Sequence, residues 1–262
     1  MLQIKNLTLS HKKDNRIILS NFSSSFNDGD KAVIIGEEGN GKSTLLKWIY
    51  DKELITTYCN EDGTLIKSGE KLAYLPQEMP NELLKLSVYD YFMQSDGFPS
   101  HSPKALSKKA KDFGLPDDFY YSEQIMETLS GGEKIKVSLI RLLLEEPTVL
   151  LLDEPSNDID TDTLCLLENI INDFKHIVIF ISHDEVLIEN TANMVIHLEQ
   201  IKRKTVSRYT VARLPYLQYM EERRRDFNNQ ERVAENDRRL KKIRDEKLSR
   251  IYKSVEHAQA CL

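Results

Sequence analysis

Short strands come first in the pattern of apolar and polar positions, and helices follow. Ile4, Leu7 and Leu9 mark one short strand and Ile17-Ile18-Leu19 a second, while Lys31-Ala32-Val33-Ile34-Ile35 follows the Asn27-Asp28-Gly29-Asp30 turn as a third. Gly36 to Gly41 break the pattern, and residues 42–50 then carry helical spacing, which makes a strand–glycine loop–helix unit. Residues 71–75 predict another strand, closed by Pro76. Residues 80–128 are more helical, punctuated by Pro99, Pro103 and Pro116, and 134–144 repeat apolar positions at helical spacing. Residues 149–152 and 177–181 are β-branched or aliphatic runs of the doubly buried strand type, bridged by a helix over 164–174. This alternation predicts an α/β fold with a mainly parallel core sheet.

From Pro215 onward the character changes. No proline or glycine follows, charge dominates, and apolar residues form a narrow seam. Met220, Phe227 and Ala234 are spaced by heptads, as are Val233 and Leu240, and Ile243, Ile251, Tyr252 and Val255 continue the stripe. The chain therefore divides into one domain over 1–200 with a small helical subdomain at about 80–145, a terminal strand or connector over 201–214, and a charged helix over 215–262.

Composition narrows the class. Hydrophobic residues make up 40% and charged residues 30%, as in soluble globular proteins, and the net charge of -6 excludes a uniformly basic nucleic-acid binder. The apolar runs are far too short to span a bilayer, so no membrane insertion is expected. Met1-Leu2-Gln3-Ile4-Lys5 lacks the build of a secretion signal. Cys59, Cys165 and Cys261 are odd in number and have no CxxC spacing, which suits a reduced, cytoplasmic setting.

The chemistry lies in a few short stretches. Gly36-Glu37-Glu38-Gly39-Asn40-Gly41-Lys42-Ser43-Thr44 fits the phosphate-loop pattern, in which backbone N–H groups and a helix N-terminus cradle phosphates. Lys42 would reach the β and γ phosphates of ATP, and Ser43 would ligate Mg²⁺. Glu37 and Glu38 are acidic where phosphate binds; a carboxylate ~8 Å away, at a dielectric of ~40, repels with about 1 kcal/mol per unit charge pair. Both side chains are expected to point outward. Asp153 and Glu154 end the apolar strand 149–152, where ligands of parallel sheets gather; Asp153 is placed to hold Mg²⁺ and Glu154 to orient or deprotonate water. His183 ends the 177–181 strand at the same edge and is a candidate γ-phosphate contact, and Gln77, after Pro76, is a candidate sensor of Mg²⁺ and water.

Leu129-Ser130-Gly131-Gly132-Glu133-Lys134 opens a helix upstream of the Asp153-Glu154 strand, with Ser130 and the Gly131 and Gly132 amides forming an anion site. With the other motifs it resembles the signature of ATP-binding-cassette (ABC) domains, over residues 1 to about 200. The resemblance implies an ABC nucleotide-binding domain with an N-terminal antiparallel β part. It also implies that Ser130, Gly131, Gly132 and Glu133 act in trans on a nucleotide held by a second ABC domain.

The subtype resembles ABC-F proteins, which lack membrane domains and act on ribosomes. Glu133-Lys134 after Ser-Gly-Gly, Tyr74-Leu75-Pro76-Gln77-Glu78, Leu143-Leu144-Glu145-Glu146-Pro147 and Ser156-Asn157-Asp158-Ile159-Asp160 carry that likeness. It implies that Asp160 faces the opposing domain and that the helix from Pro215 begins an interdomain linker approaching tRNA and ribosomal RNA. The adenine-stacking aromatic of the family falls on His11, and the usual Tyr-x-Gly-Asn-Tyr before the linker is absent. An ABC-F protein would continue past Leu262 into a second ATPase domain, so the expected partner is that half, with a homodimer as its stand-in.

The linker helix carries Arg223-Arg224-Arg225, Arg232, Arg238-Arg239, Lys241-Lys242, Arg244, Lys247, Arg250 and Lys253. Composition alone favours a solvated face with i,i+4 pairs such as Glu221–Arg225, whereas the resemblance favours RNA-backbone contact. Tyr216, Tyr219 and Phe227 fit either RNA contact or packing. The leading expectation is an ABC-F ATPase in translation control or antibiotic ribosomal protection. The alternatives are the energy subunit of an ABC transporter and a non-hydrolytic scaffold, the latter opposed by Glu154, Gln77 and His183.

Overall fold

The computed structural model describes residues 1–201 and 206–260, and in the last helix the side chains of only some positions. Part of the 201–214 connector therefore lies outside the described residues, as does Cys261. So do the side chains of Val233, Ala234, Ile243, Lys247, Arg250, Ile251, Tyr252, Lys253 and Val255. The chain forms two compact units, Met1–Tyr216 and Leu217–Leu262.

The first unit holds two sheets. Strands β1 (Leu2–His11), β2 (Ile17–Phe26) and β4 (Cys59–Lys67) make a small antiparallel sheet in the order β2-β1-β4. Strands β3 (Lys31–Ile35), β5 (Leu72–Leu75), β6 (Val149–Asp153), β7 (Ile177–Ile181), β8 (Met194–Ile201) and β9 (Val206–Ala212) make the core sheet, in the order β5-β6-β7-β3-β8-β9. Its neighbours are parallel except β9, which pairs antiparallel with β8. Both faces of the central strands are buried, which explains their unbroken apolar sequence.

Helix α1 (Lys42–Tyr50) joins the two sheets. Its Leu45, Leu46 and Ile49 share one buried cluster with Leu2, Leu9 and Phe22 of the small sheet and Ile34, Leu151 and Ile179 of the core sheet. Fully burying each such side chain stabilises the fold by about 1.5–3 kcal/mol. The stretch between β5 and β6 contains α2 (Asn81–Leu84), α3 (Val88–Met93), α4 (Pro103–Asp112) and α5 (Gly131–Leu144). It has its own aromatic centre: the Phe92 and Tyr120 rings meet edge-on at 4.8 Å, and the Tyr120 hydroxyl donates to the Leu106 carbonyl at 3.0 Å. Helices α6 (Thr161–Asp173) and α7 (Glu185–Thr191) follow β6 and β7.

The first two strands run longer than the short runs expected, and β4 and β8 go beyond the strands read from sequence. Asn6 and Asn21 sit at positive φ where the β1–β2 register shifts, and Ser23 Oγ accepts from the Asn6 amide at 2.9 Å. The extra polar residues are thus absorbed as bulges rather than ending the strands.

Helix α8 (Tyr216–Ala260) runs into the second unit. There Arg225 Nη2 lies 3.6 Å from Glu221 Oε2, the i,i+4 pair expected from sequence, and Met220, Phe227 and Leu240 of the seam are exposed. Among the described residues no helix is long and apolar enough to cross a membrane.

Candidate functional site

Because β6, β7 and β3 are neighbours in one parallel array, their carboxyl ends lie side by side. The glycine loop leaves β3, Asp153 and Glu154 end β6, and Ser182 and His183 follow β7. Topology alone gathers three motifs that are far apart in sequence.

The loop is braced from within. Lys42 Nζ donates to the Gly36 carbonyl at 2.7 Å and the Glu37 carbonyl at 3.3 Å. Buried Asn40 donates its Nδ2 to the Leu198 carbonyl of β8 at 3.0 Å, pinning the loop to the sheet. Gly41 has φ +88, and a Cβ there would lie 2.2 Å from Ile18 Cγ2, so only glycine fits before α1. Burial pushes the Lys42 ammonium below its usual range, while Glu154, Glu38 and Asp153 pull it back up.

Ser43 Oγ donates to Asp153 Oδ1 at 2.9 Å and ties the phosphate loop to β6. Asp153 is almost wholly buried. Its carboxyl is raised by that burial, against the hydrogen bonds from Ser43 and Tyr74 and the charge of Lys47, with Glu154 adding to the rise. A buried, destabilised carboxylate beside a hydroxyl is an oxygen donor set suited to a hard divalent cation. The chemistry of these residues therefore fits magnesium.

Glu154 sits at φ +52, and its amide donates to the Ile181 carbonyl at 3.0 Å. Asn157 Nδ2 donates to its Oε2 at 2.8 Å, and His183 Nε2 stands 3.6 Å from its Oε1. Oε2 is thus aimed by a hydrogen bond, while Oε1 only faces the imidazole.

A cavity of about 570 Å³ collects Gly39, Gly41, Lys42, Ser43 and Thr44 with Gln77 and Glu154, and extends to His11, Arg16 and Tyr58. Its polar character and size suit a nucleotide. Glu38 also lines it, contrary to the expectation that both loop acids point outward; the turn places Glu38 on the wall, where its charge acts on Lys42. His11 Nδ1 accepts from the Lys13 amide at 3.3 Å, which holds the ring at the cavity.

Three residues here were missed by sequence reasoning. Tyr74 donates its hydroxyl to Asp153 Oδ2 at 3.1 Å, and burial first, then Asp153, raises its phenol far above the usual range. Tyr58 lines the cavity beside Thr44, and so does Arg16, whose buried Nε has no partner among the described residues. Tyr74 belongs to the Tyr74-Leu75-Pro76-Gln77-Glu78 stretch, but its partner depends on the β5–β6 register, in which Leu75 pairs with Leu152.

The Ser130 stretch is built differently. Ser130 caps α5 in a reciprocal box: its amide and hydroxyl each donate to Glu133 Oε2 at 2.8 Å, and the Glu133 amide donates to Ser130 Oγ at 3.3 Å. These bonds hold the Glu133 carboxyl below its usual range. A Cβ on Gly131 would lie 2.3 Å from the Asp158 carbonyl oxygen, and one on Gly132 would lie 2.8 Å from Asp160 Oδ2. Asp160 itself caps α6, accepting from the Thr163 amide at 2.8 Å. Among the described residues, none of Ser130, Gly131, Gly132 and Glu133 lines the cavity that holds Lys42.

Comparisons with known proteins agree with this geometry. The family model described as ABC transporter matches residues 19–157. The chain is 37% identical over 184 residues to the ATP-binding protein Uup of Buchnera aphidicola subsp. Acyrthosiphon pisum (strain APS), covering 68% of this chain and 29% of that one. It is 31% identical over 226 residues to the energy-dependent translational throttle protein EttA of Haemophilus influenzae (strain ATCC 51907 / DSM 11121 / KW20 / Rd), covering 71% of this chain and 39% of that one. The chain thus spans between 29% and 39% of the length of these relatives. A solved ABC transporter of metal-chelate type, in an inward-facing conformation, shares the fold with a TM-score of 0.61 at 20% identity, covering 80% of this chain and 82% of that one.

Proposed function

Because this chain belongs to the ATP-binding-cassette family and stands with its ABC-F members, we propose that it is one nucleotide-binding half of a ribosome-directed ATPase. The observation that carries the reading is the Ser43–Asp153 hydrogen bond of 2.9 Å, which fastens the phosphate loop to the strand end bearing Glu154.

The triphosphate of ATP lies along residues 36–43, received by their amides and the N-terminus of α1. Lys42 turns its Nζ from the Gly36 and Glu37 carbonyls to the β and γ phosphates. The base is directed to the far end of the cavity, at His11 and Arg16. Ser43, Asp153 and Gln77 would hold magnesium, which supplies charge neutralisation to the phosphate oxygens when bound. Glu154 accepts a proton from water, whose oxygen bonds to the γ phosphorus as the bond to ADP breaks. Asn157 keeps Glu154 aimed, and His183 steadies a γ-phosphate oxygen.

Ser130, Gly131, Gly132 and Glu133 serve a nucleotide held by a second ABC domain. Their separation from the cavity around Lys42 supports that reading. The partner domain belongs natively to the same longer protein, and a homodimer of this chain imitates the pairing. The basic side chains of α8, Arg223 to Arg225 among them, meet the RNA backbone of the ribosome or its tRNA in the cytoplasm. Translation control and antibiotic protection both use this arrangement, and growth with and without ribosome-targeting antibiotics separates them.

The test is co-sedimentation of the Glu154→Gln chain with ribosomes in a sucrose gradient containing Mg-ATP. Ribosome association that falls as salt rises is expected. Recovery in the membrane pellet, with none on ribosomes, overturns the ribosomal half of the proposal in favour of a transporter subunit.

A further inference from the structure

A second cavity, of about 580 Å³, opens beside the nucleotide site, between α1, the loop after β5 and α5. Its walls are largely aromatic and aliphatic, with Tyr50, Tyr74, Met79, Leu83, Ile135 and Leu142 among them. Three cations face it as well: Lys47, Lys134 and Arg141. None of the three makes an ion pair among the described residues. Arg141 instead lies over the Tyr91 ring, 4.5 Å from its centroid. Among the described residues, Asp158 is the one carboxylate on the cavity wall.

Apolar walls with cations held outside ion pairs favour a particular kind of guest. Rings bury against the tyrosines and aliphatic side chains, and an acidic group meets ammonium or guanidinium where water is partly excluded. We infer that this cavity binds an aromatic anion of metabolite or drug size, and that the nucleotide site feels its occupancy. Two contacts carry the coupling. Gln77 lines both cavities, and Tyr74, on the wall of this one, donates its hydroxyl to Asp153 Oδ2 at 3.1 Å. A guest that shifts Tyr74 or Gln77 alters the nucleotide affinity, and the nucleotide alters the guest's affinity by the same factor.

Occupancy is independent of the nucleotide reading; the coupling rests on it. The probe is 8-anilinonaphthalene-1-sulfonate, titrated by fluorescence into the full chain without nucleotide. Saturation at one probe per chain is expected. Its uncharged relative N-phenyl-1-naphthylamine should bind roughly tenfold more weakly, the loss expected when a charged hydrogen bond is removed.

Lys134→Glu and Ile135→Asp, with folding checked by circular dichroism, should each weaken the probe about tenfold or more. Equal affinity for the two dyes, or unchanged binding in both variants, overturns the site. So does displacement by Mg-ADP that grows without limit, because that places the probe in the nucleotide cavity. Saturating probe should shift Mg-ADP affinity by a bounded factor that shrinks in Tyr74→Phe. An undiminished shift in that variant overturns the coupling path. If Mg-ADP does not bind at all, the nucleotide reading fails while the dye result stands by itself.

Discussion

Removing one hydroxyl group tests how the proposed metal site is held. Asp153 is buried, with Oδ1 accepting from Ser43 at 2.9 Å and Oδ2 from Tyr74 at 3.1 Å. In Tyr74→Phe the ring stays, packed against Tyr50 with centroids 5.3 Å apart, but Oδ2 loses its donor. A hydrogen bond to a charged group contributes about 1.5–3 kcal/mol, and losing a partner that orients a metal ligand typically weakens metal binding about 10–100-fold. The magnesium concentration for half-maximal ATP binding should rise by that factor. Calorimetric titration of ATP at a series of magnesium concentrations measures it, and a parallel titration in EDTA should show little change. A Tyr74→Phe chain whose magnesium requirement stays within about twofold of the parent would refute the reasoning, because it would place Tyr74 outside the set that aims Asp153.

Other consequences are as direct. Glu154→Gln should bind Mg-ATP as the parent does but lose about 10²–10⁴-fold in single-turnover hydrolysis once a second domain is supplied; unchanged turnover removes Glu154 from the chemistry. Gly41→Ala forces φ +88 on a side chain and drives Cβ to 2.2 Å from Ile18 Cγ2, so it should lower stability by about 1–3 kcal/mol in urea melts. Adding Ile18→Ala should return only the steric part, and full recovery would deny the backbone strain. The Ser95 hydroxyl first, then the Gly97 amide and Lys71, hold the Glu145 carboxyl at about 2 against the opposing effect of burial. Its folded pKa lies below the unfolded one, so the ionised form stabilises the fold above about pH 4.5, and that contribution is lost as pH falls toward about 2. Urea melts should show a loss of about 1–3 kcal/mol across that window, absent in Glu145→Gln.

Much of this architecture was legible because its strongest signals are local. The phosphate loop needs glycine at Gly41 whatever surrounds it, and a strand buried on both faces must read as Val149-Leu150-Leu151-Leu152. Ser130-Gly131-Gly132 likewise marks a helix start by local signals alone. What stayed hidden was set by pairing. The Asn60-Glu61-Asp62-Gly63 stretch of β4 has almost no strand pattern, and its conformation comes from its ladder with β1. Tyr74, Tyr58 and Arg16 are ordinary surface-compatible residues in sequence and acquire meaning only when register or a hairpin end brings them to the cavity. Glu38 shows the converse: its type was noticed, but the side of the loop it occupies follows from the turn geometry.

The tight seat of Gly131 and Gly132 on residues 158–160 has a mechanical corollary. The start of α5 leaves no room for a side chain against that turn, and the same turn begins only a few residues after Glu154. A shift of that turn would therefore press on the start of α5, the face that offers Ser130 outward. If two such domains pair as proposed, the seat would give each Glu154 a short route to its neighbour's nucleotide.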